Sequence, residues 1–403
     1  MDRVDVLVVG GGFLGCATAW MLAREGADVL LVERDQVNQH ASGQNAGSLH
    51  FQLEYRMIER GIEAAKLAAE AMPLHLEAAQ WWERLTEEVG EPLGVSQTGG
   101  LMLAHTAEQE RLLHAKAEVE RAWGLDVRVL DREAVLAEAP YLSPTVRAAS
   151  HCPIEGKADT RLAAPALARA AARLGADVQG RCEVVRLARA GGGWTATLRS
   201  RGAGPAGPVG TERTVQADAV VLAAGVWTTE LGAMIGSELP TIPLALTMSV
   251  TVRRPPLISH LVQHAGTRLS LKQAGDGNVL IGGGWPARLG RGPLGEADLA
   301  RSPEIVAGSV AGNARAAVAA VPELAHVPVL RTWVGTTTVT PDQLPLVGAV
   351  PDAPGAFVAT GGSAFTLGPS FAQVLTDLVQ GRPAGTDLTP YDPRRYRGGA
   401  RVG

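Results

Sequence analysis

The first 33 residues constrain this chain more than any other stretch. An apolar β-type run, Val4 to Val9, passes into Gly10, Gly11, Gly12 and then a helix-like run from Phe13 to Glu25 that contains Gly15. A second apolar run, Val29 to Val32, ends in Glu33, 18 residues after Gly15. Strand, glycine turn, helix and strand in that order hold the ADP half of a dinucleotide. Gly10 permits a sharp turn, Gly12 has no side chain to obstruct a pyrophosphate, and Gly15 lets the helix lie close to the sheet. The helix N-terminus offers free N–H groups and a partial positive charge to the phosphates. Glu33 can accept hydrogen bonds from ribose hydroxyls and would repel a 2′-phosphate, which argues against NADP. The motif alone does not choose between FAD and NAD.

At 403 residues the chain is too long for one ordinary core, so two domains are expected. Hydrophobic residues make up 46% and charged residues 19%, a globular balance. The formal net charge of −4 gives no general attraction to nucleic acid or to an anionic membrane. No apolar run approaches the roughly 20 residues of a membrane span. The first strand starts almost at the N-terminus, leaving no room for a secretory leader, and a cytoplasmic protein is expected. Cys16, Cys152 and Cys182 are far apart and form no CxxC, so no iron–sulfur cluster or zinc site is expected within the chain, nor any other metal. Electrons leaving through an iron–sulfur centre would require a partner subunit that carries it.

After Arg34 a loop rich in small and polar residues runs to His50. Helical patterns cover about 56–88. Gly99 and Gly100 turn the chain before a strand at 101–103. Thr106, with Gln109 three residues on, reads as a capping box opening a helix that runs to about Trp123. Asp159 reads as the N-cap of a helix ending at Leu174. Short β segments follow near Val178 and at 183–185, with loops at 191–193 and 202–210. A buried strand from Asp218 ends in a turn at Ala224 and Gly225. Residues 240–281 are β-rich, 303–320 helical, and 330–347 β-like with turns. A last helix runs from Pro369 to about Val379, and the Pro-, Gly- and Arg-rich tail after Pro390 is expected to be loosely held.

Five separated segments point one way: the glycine turn with Glu33 and Arg34; Ser42 to Gly47; Val221 to Trp227; Thr340 to Gly348; and Ala359 to Gly362 with Leu367 to Pro369 behind it. In this order the set resembles the D-amino-acid oxidase (DAO) superfamily of FAD enzymes, of the glycine/sarcosine oxidase type. The loop from Ala41 to His50 is most similar to the flavin subunits of opine oxidases and D-hydroxyproline dehydrogenases. The resemblance implies an α/β fold: a Rossmann-type FAD-binding domain interleaved with a β-rich α+β substrate domain. The FAD domain would take 1–89, 151–239 and 330–403, and the substrate domain 90–150 and 240–329.

By the same resemblance, non-covalent FAD would meet Gly10, Gly12, Phe13, Leu14, Gly15, Glu33 and Arg34, the loop residues Ala41, Ser42, Asn45, Ala46, Gly47 and Ser48, and Val184, Ala224, Gly225 and Gly361. Trp227 could pack against the turn at Ala224. Thr366, Leu367 and Gly368 would present N–H groups at the positive end of the last helix, where negative charge collects on a reduced flavin. The implied reaction is oxidation of a C–N bond in an amine, amino acid or imino acid: hydride passes to flavin N5 and the imine is hydrolysed, positioning doing most of the work. A dehydrogenase handing electrons to a partner is favoured over an oxidase using O2. Oxidation of a 2-hydroxy acid, or a flavin-holding subunit inactive alone, are the alternatives. Lys272 stands roughly where sarcosine oxidases carry an oxygen-activating lysine. His50 and Gln52 would border the flavin pocket. Relatives with covalent flavin use a late cysteine or a loop histidine; here the last cysteine is Cys182 and the loop position is Gln44.

One departure bears on the substrate. Relatives acting on simple amino acids clamp the carboxylate with arginine, whose fork matches two oxygens. Here Thr337 takes one such position, and the loop after Gly362 holds Ser363 and Ala364. Arg56, Arg268, Lys272 and Arg331 are the candidate replacements.

Overall fold

The computed structural model describes residues 2–202 and 207–397. Two eight-stranded sheets organise them. In the first, Asp177–Gln179, Val29–Val32, Asp2–Val9, Glu212–Leu222 and Ala356–Thr360 lie parallel in that spatial order. Leu346–Ala349 closes one edge antiparallel, and the hairpin Cys182–Ala190/Gly193–Ser200 folds onto Glu212–Leu222. The central strands read as unbroken apolar runs because both faces are covered. The helix Phe13–Arg24 is buried from Phe13 through Ala23 and packs against the helices Ala163–Arg173 and Gly368–Val379.

The second sheet runs, in spatial order, Val329–Val339, Ile242–Arg253, Asn278–Gly282, Ser270–Gln273, Leu261–His264, Gly100–Ala104, Ala148–Cys152 and Arg128–Asp131. All its pairings are antiparallel except that of Leu261–His264 with Gly100–Ala104. A separate apolar cluster, centred on Leu101, Val262, Leu271 and Val321, lies against it.

Several elements differ from the sequence expectation for identifiable reasons. The helical stretch at 56–88 is three helices, Tyr55–Ile58, Ile62–Ala69 and Met72–Val89. Gly61 interrupts it with a φ of +95°, and Pro73 opens the last piece, where a missing N–H is harmless. Asp159 is not the N-cap. Its carboxylate accepts the Arg161 N–H in a preceding turn, and the helix starts at Ala163. The helix expected from Pro303 starts at Ala307, because Glu304 pairs its backbone with Arg288 in an extended bridge. The capping box of Thr106 and Gln109 forms as expected. The tail after Pro390 is pinned rather than loose as far as Arg397. Tyr391 and Tyr396 are buried, and Arg395 pairs with Asp342 at 2.7 Å while the Tyr396 hydroxyl donates to the same carboxylate. Aromatic anchors override its turn-rich composition. Residues 398–403, and 203–206 of the expected loop, lie outside the described residues.

Candidate functional site

Backbone geometry builds one end of the site. Gly10 adopts a φ of +116°, which an L side chain resists, and a Cβ there would overlap the Ala223 carbonyl. A Cβ on Gly15 would overlap the Gly10 carbonyl oxygen, so the helix can approach the strand this closely only with glycine. The turn opens into a cleft of about 160 Å³ walled by Gly10, Gly12, Glu33, Arg34, Val184, Ala224 and Gly225, with Cys182 and Trp227. Glu33 is buried, its carboxylate accepting the Gly11 and Asp35 N–H groups. The Arg34 guanidinium lies 4.9 Å from the Trp227 ring centroid, and the His40 ring meets the same indole edge-on. Arg34 Nε is buried in this wall 3.4 Å from Asp35 Oδ2, and Asn38 Oδ1 is buried there without a hydrogen-bond partner. Buried polar atoms are rarely left so unless a ligand completes them. With the glycine cradle, this fits the adenosine and pyrophosphate half of FAD.

The cleft opens at Gly12, Ala41, Ser42, Ala223 and Gly225 into a cavity of about 1290 Å³. That is larger than a typical small-ligand pocket of roughly 300–1,000 Å³. Leu14, Asn45, Ala46, Ser48, His50, Gly361 and Thr366 line it. Ser42 Oγ accepts the Phe13 N–H at 2.8 Å, and Asn45 Oδ1 accepts the Gly47 N–H, so loop side chains cap local amides. Thr366 Oγ1 donates to Ser48 O, joining the last helix to the loop.

The other expected contacts lie behind the walls. Phe13 stacks on Trp82 and meets Phe365, while Gly368 leaves room for the Phe13 ring. Gly15, Gly47, Leu367 and Gly368 are not on the cavity surface. The Leu367 and Gly368 N–H groups bond Ser363 O and Phe365 O, leaving the Thr366 amide without an acceptor among the described residues. Lys272 is buried directly behind Gly47, donating to Ala158 O, with Nζ 3.0 Å from where a Gly47 Cβ would sit. Burial first, then the Lys157 ammonium, pushes the Lys272 amine well below its usual range, while Asp159 opposes the shift. Gln44 packs on Gly335 and accepts the Trp333 indole N–H through its carbonyl.

Of the candidate cations, Arg56 and Arg268 reach the cavity. Arg56 lies over Gly362, where a Cβ would come within 3.0 Å of Nη2. It donates to Ser363 Oγ at 2.8 Å, to Glu54 Oε1 at 3.1 Å and to Gln343 Oε1 at 3.3 Å. Burial alone would raise Glu54, but Arg56, His50 and the Ser363 hydroxyl hold its carboxyl down to about 2. Arg268 donates to Gly284 O. Arg331 stacks on Trp333 away from the cavity. Thr337 does line it, as do Ser363 and Ala364.

Sequence reading missed Glu54, Ser270, Gln263 and the fully buried Glu155. None sits in a motif; Glu54 lies beside Arg56 in sequence, and the other three come from distant segments.

The chain matches the DAO family, described as FAD dependent oxidoreductase, over residues 5–378. It is 29% identical to glycine oxidase of Geobacillus kaustophilus (strain HTA426) over 98% of each chain. The crystal structure of glycine oxidase from Geobacillus kaustophilus matches with a TM-score of 0.83 at 26% identity, covering 99% of this chain and 100% of that one. Sarcosine oxidase subunit beta of Arthrobacter sp. is 28% identical over 91% of this chain and 87% of its own. Mitochondrial dimethylglycine dehydrogenase of Mus musculus is 27% identical over 98% of this chain, which spans only 44% of that protein. No helix among the described residues is long and apolar enough to cross a membrane. The chain belongs to the DAO family and is an FAD-dependent oxidoreductase.

Proposed function

We propose that this chain oxidises the C–N bond of a small amine that carries a carboxylate. The observation that carries the reading is Arg56. It stands in the cavity wall over Gly362, beside the loop whose clamp cation is missing, braced by Glu54 and Ser363. A guanidinium so held is fixed in orientation and can offer a substrate carboxylate its charge and its remaining N–H donors. Arg268 offers a second cation to the same cavity. FAD supplies the oxidation itself by accepting a hydride from the substrate carbon. The protein's part is to orient the amine and keep water from the reacting centre. The resemblance to glycine oxidase and sarcosine oxidase subunit beta supports an amine donor.

In this reading the parallel sheet is the core of the FAD domain and the antiparallel sheet that of the substrate domain, which takes the strand Val329–Val339 out of the FAD segment expected at 330–403. FAD is held without a covalent bond. Lys272, whose amine burial behind Gly47 pushes well below its usual range, would be the oxygen-activating lysine that the resemblance implies should O2 be the acceptor. A partner subunit is the expected electron acceptor, since one relative is named as a subunit. Three free, buried cysteines suit a cytoplasmic protein.

The test is anaerobic. FAD-loaded protein is mixed with glycine, sarcosine, D-proline, D-hydroxyproline, opines and 2-hydroxy acids, and the flavin band near 450 nm (roughly, a cofactor property) is followed. Bleaching by an amine and not by hydroxy acids is expected. Bleaching by a hydroxy acid alone would overturn the reading. A yellow protein that nothing bleaches would point to a subunit inactive without its partner.

A further inference from the structure

A line of polar side chains leads inward from the cavity. Ser48, Ser270 and His50 all lie in its wall. Ser48 Oγ is 3.0 Å from Ser270 Oγ, which is 2.9 Å from His50 Nε2. On the far side of the ring, His50 Nδ1 is buried, has no hydrogen-bond partner, and lies 4.0 Å from Glu155 Oε1. Short antiparallel pairing creates this juxtaposition. Ser48 pairs with Lys157 and Leu49 with Gly156, which brings His50 opposite Glu155.

Glu155 is fully buried. It accepts the Phe51 and Gln52 N–H groups at 2.8 and 2.9 Å, the Gln52 amide at 2.9 Å and, at 3.4 Å, that of Gln263. Gly100 leaves the space its carboxylate fills. No cation touches it among the described residues. The nearby Lys116 is taken up by Glu120 at 2.7 Å and by Gln52 Oε1. Four donors hold the carboxylate in place, three of them on Oε1, the oxygen that lies 4.0 Å from His50 Nδ1. Burying a carboxylate is costly unless hydrogen bonds or a cation compensate it, and the His50 imidazole is the ionisable base that lies beside this one. Glu54 and His75 also interact electrostatically with His50, and Arg56 acts on both of them.

We propose that His50, reached through Ser270, takes the proton that the substrate ammonium group must lose before oxidation, and that Glu155 is the positioning residue that steadies the resulting imidazolium. The proposal rests on the amine-oxidising reading above. The balance is simple. One N–H bond of the ammonium breaks and its proton ends on His50. The nitrogen lone pair so freed forms the C=N bond as the electron pair of the C–H bond leaves as hydride to oxidised FAD. The imidazolium then returns its proton to solvent. An imidazole oriented by a carboxylate and relayed by a hydroxyl is the arrangement general-base chemistry uses.

The experiment follows anaerobic flavin reduction in stopped flow across pH for the FAD-loaded wild type and for His50→Gln, Ser270→Ala and Glu155→Gln. His50→Gln should slow reduction at neutral pH by about 10²–10⁴-fold and make the rate climb with pH, as amine already free in solution takes over. Glu155→Gln removes the anion that favours imidazolium, so the acid limb of the profile should move to lower pH. Ser270→Ala, which deletes one hydroxyl, should slow reduction in the same direction as His50→Gln. Binding of a small carboxylic acid with no amine, read from the flavin spectrum, should be unchanged in all three. A wild-type pH profile in His50→Gln and Ser270→Ala would overturn the relay. So would equal loss at every pH together with loss of acid binding, since that is mere scaffolding. A wild type that no amine reduces would instead sink the functional reading, so the two failures are distinguishable.

Discussion

The two ends of the site are built from different materials. The nucleotide cleft is shaped by backbone: Gly10 turning at positive φ, Gly15 in contact with the Gly10 carbonyl, and Glu33 tied to the Gly11 amide. The substrate cavity is shaped by side chains brought from far apart. Arg56 meets Ser363 across 307 residues, and His50 meets Ser270 across 220. A site made of local backbone can be read from a short stretch of sequence and breaks when a single atom is added. A site made of distant side chains leaves no local signature and tolerates substitution by degrees.

The sharpest way to break this contrast is Gly15→Val. Its side chain would have to enter the space of the Gly10 carbonyl, which is backbone and cannot yield without moving the strand. The expected outcome is a protein that retains no flavin, read from the ratio of flavin absorbance to protein absorbance. Thr337→Ala, in the cavity wall, should keep its full flavin content. Equal retention by both variants would show that the cleft is not the stricter end.

Next in size is Arg56→Gln. The guanidinium is the best-placed cation in the cavity, and a charge-assisted hydrogen bond contributes about 1.5–3 kcal/mol. Its loss should raise KM for a carboxylate-bearing amine by roughly 10- to 100-fold with flavin content unchanged. An unchanged KM would move the clamp to Arg268.

How much could be read beforehand follows the same division. The glycine turn and the helix opening at Gly368 and Pro369 were legible as elements because each is contiguous, whereas the N–H groups expected of Leu367 and Gly368 are taken by Ser363 O and Phe365 O. Sequence reading could name Arg56 only as one of four cations, since nothing local separates it from Arg331. What separates them is a contact with Gly362 that exists only once the chain has closed. Glu155 gave no signal, because its partners are backbone amides and amide side chains brought together by a two-residue strand pairing. The tail misled for a related reason: its proline and glycine content suggested a loose end, whereas Tyr391 and Tyr396 are anchored by burial.

A smaller effect separates the ends by pH. His75 and His264 are both buried, and burial, the largest cause in each case, pushes each down to about 4. Their folded-state values lie below the ordinary 6.5, so the unfolded chain binds protons more readily. The stability contributed by their neutral forms is fully present above pH 6.5 and is lost as pH falls towards about 4. His75 feels Glu54 and Arg56 beside the cavity, whereas His264, at the end of the strand Leu261–His264, stacks on His105. Thermal melts between these pH values should show Tm falling with acid, and His264→Gln should flatten the fall. An unaltered slope in that variant would remove His264 from the account.

The smallest expected effect is the most useful control. Arg331 was as plausible a clamp as Arg56 from sequence, yet its guanidinium lies 5.0 Å from the Trp333 ring on an exposed stretch of edge strand. A cation over an indole at such a site contributes about 0.5–1 kcal/mol, all of it to stability. Arg331→Gln should therefore lower Tm slightly while leaving KM and the rate of flavin reduction within about twofold of wild type, a difference below roughly 0.5 kcal/mol. A large rise in KM would mean that the edge strand Val329–Val339 swings its cation into the cavity when substrate arrives. The substrate end would then be assembled by motion as well as by folding, and Arg56 would lose its claim to the carboxylate.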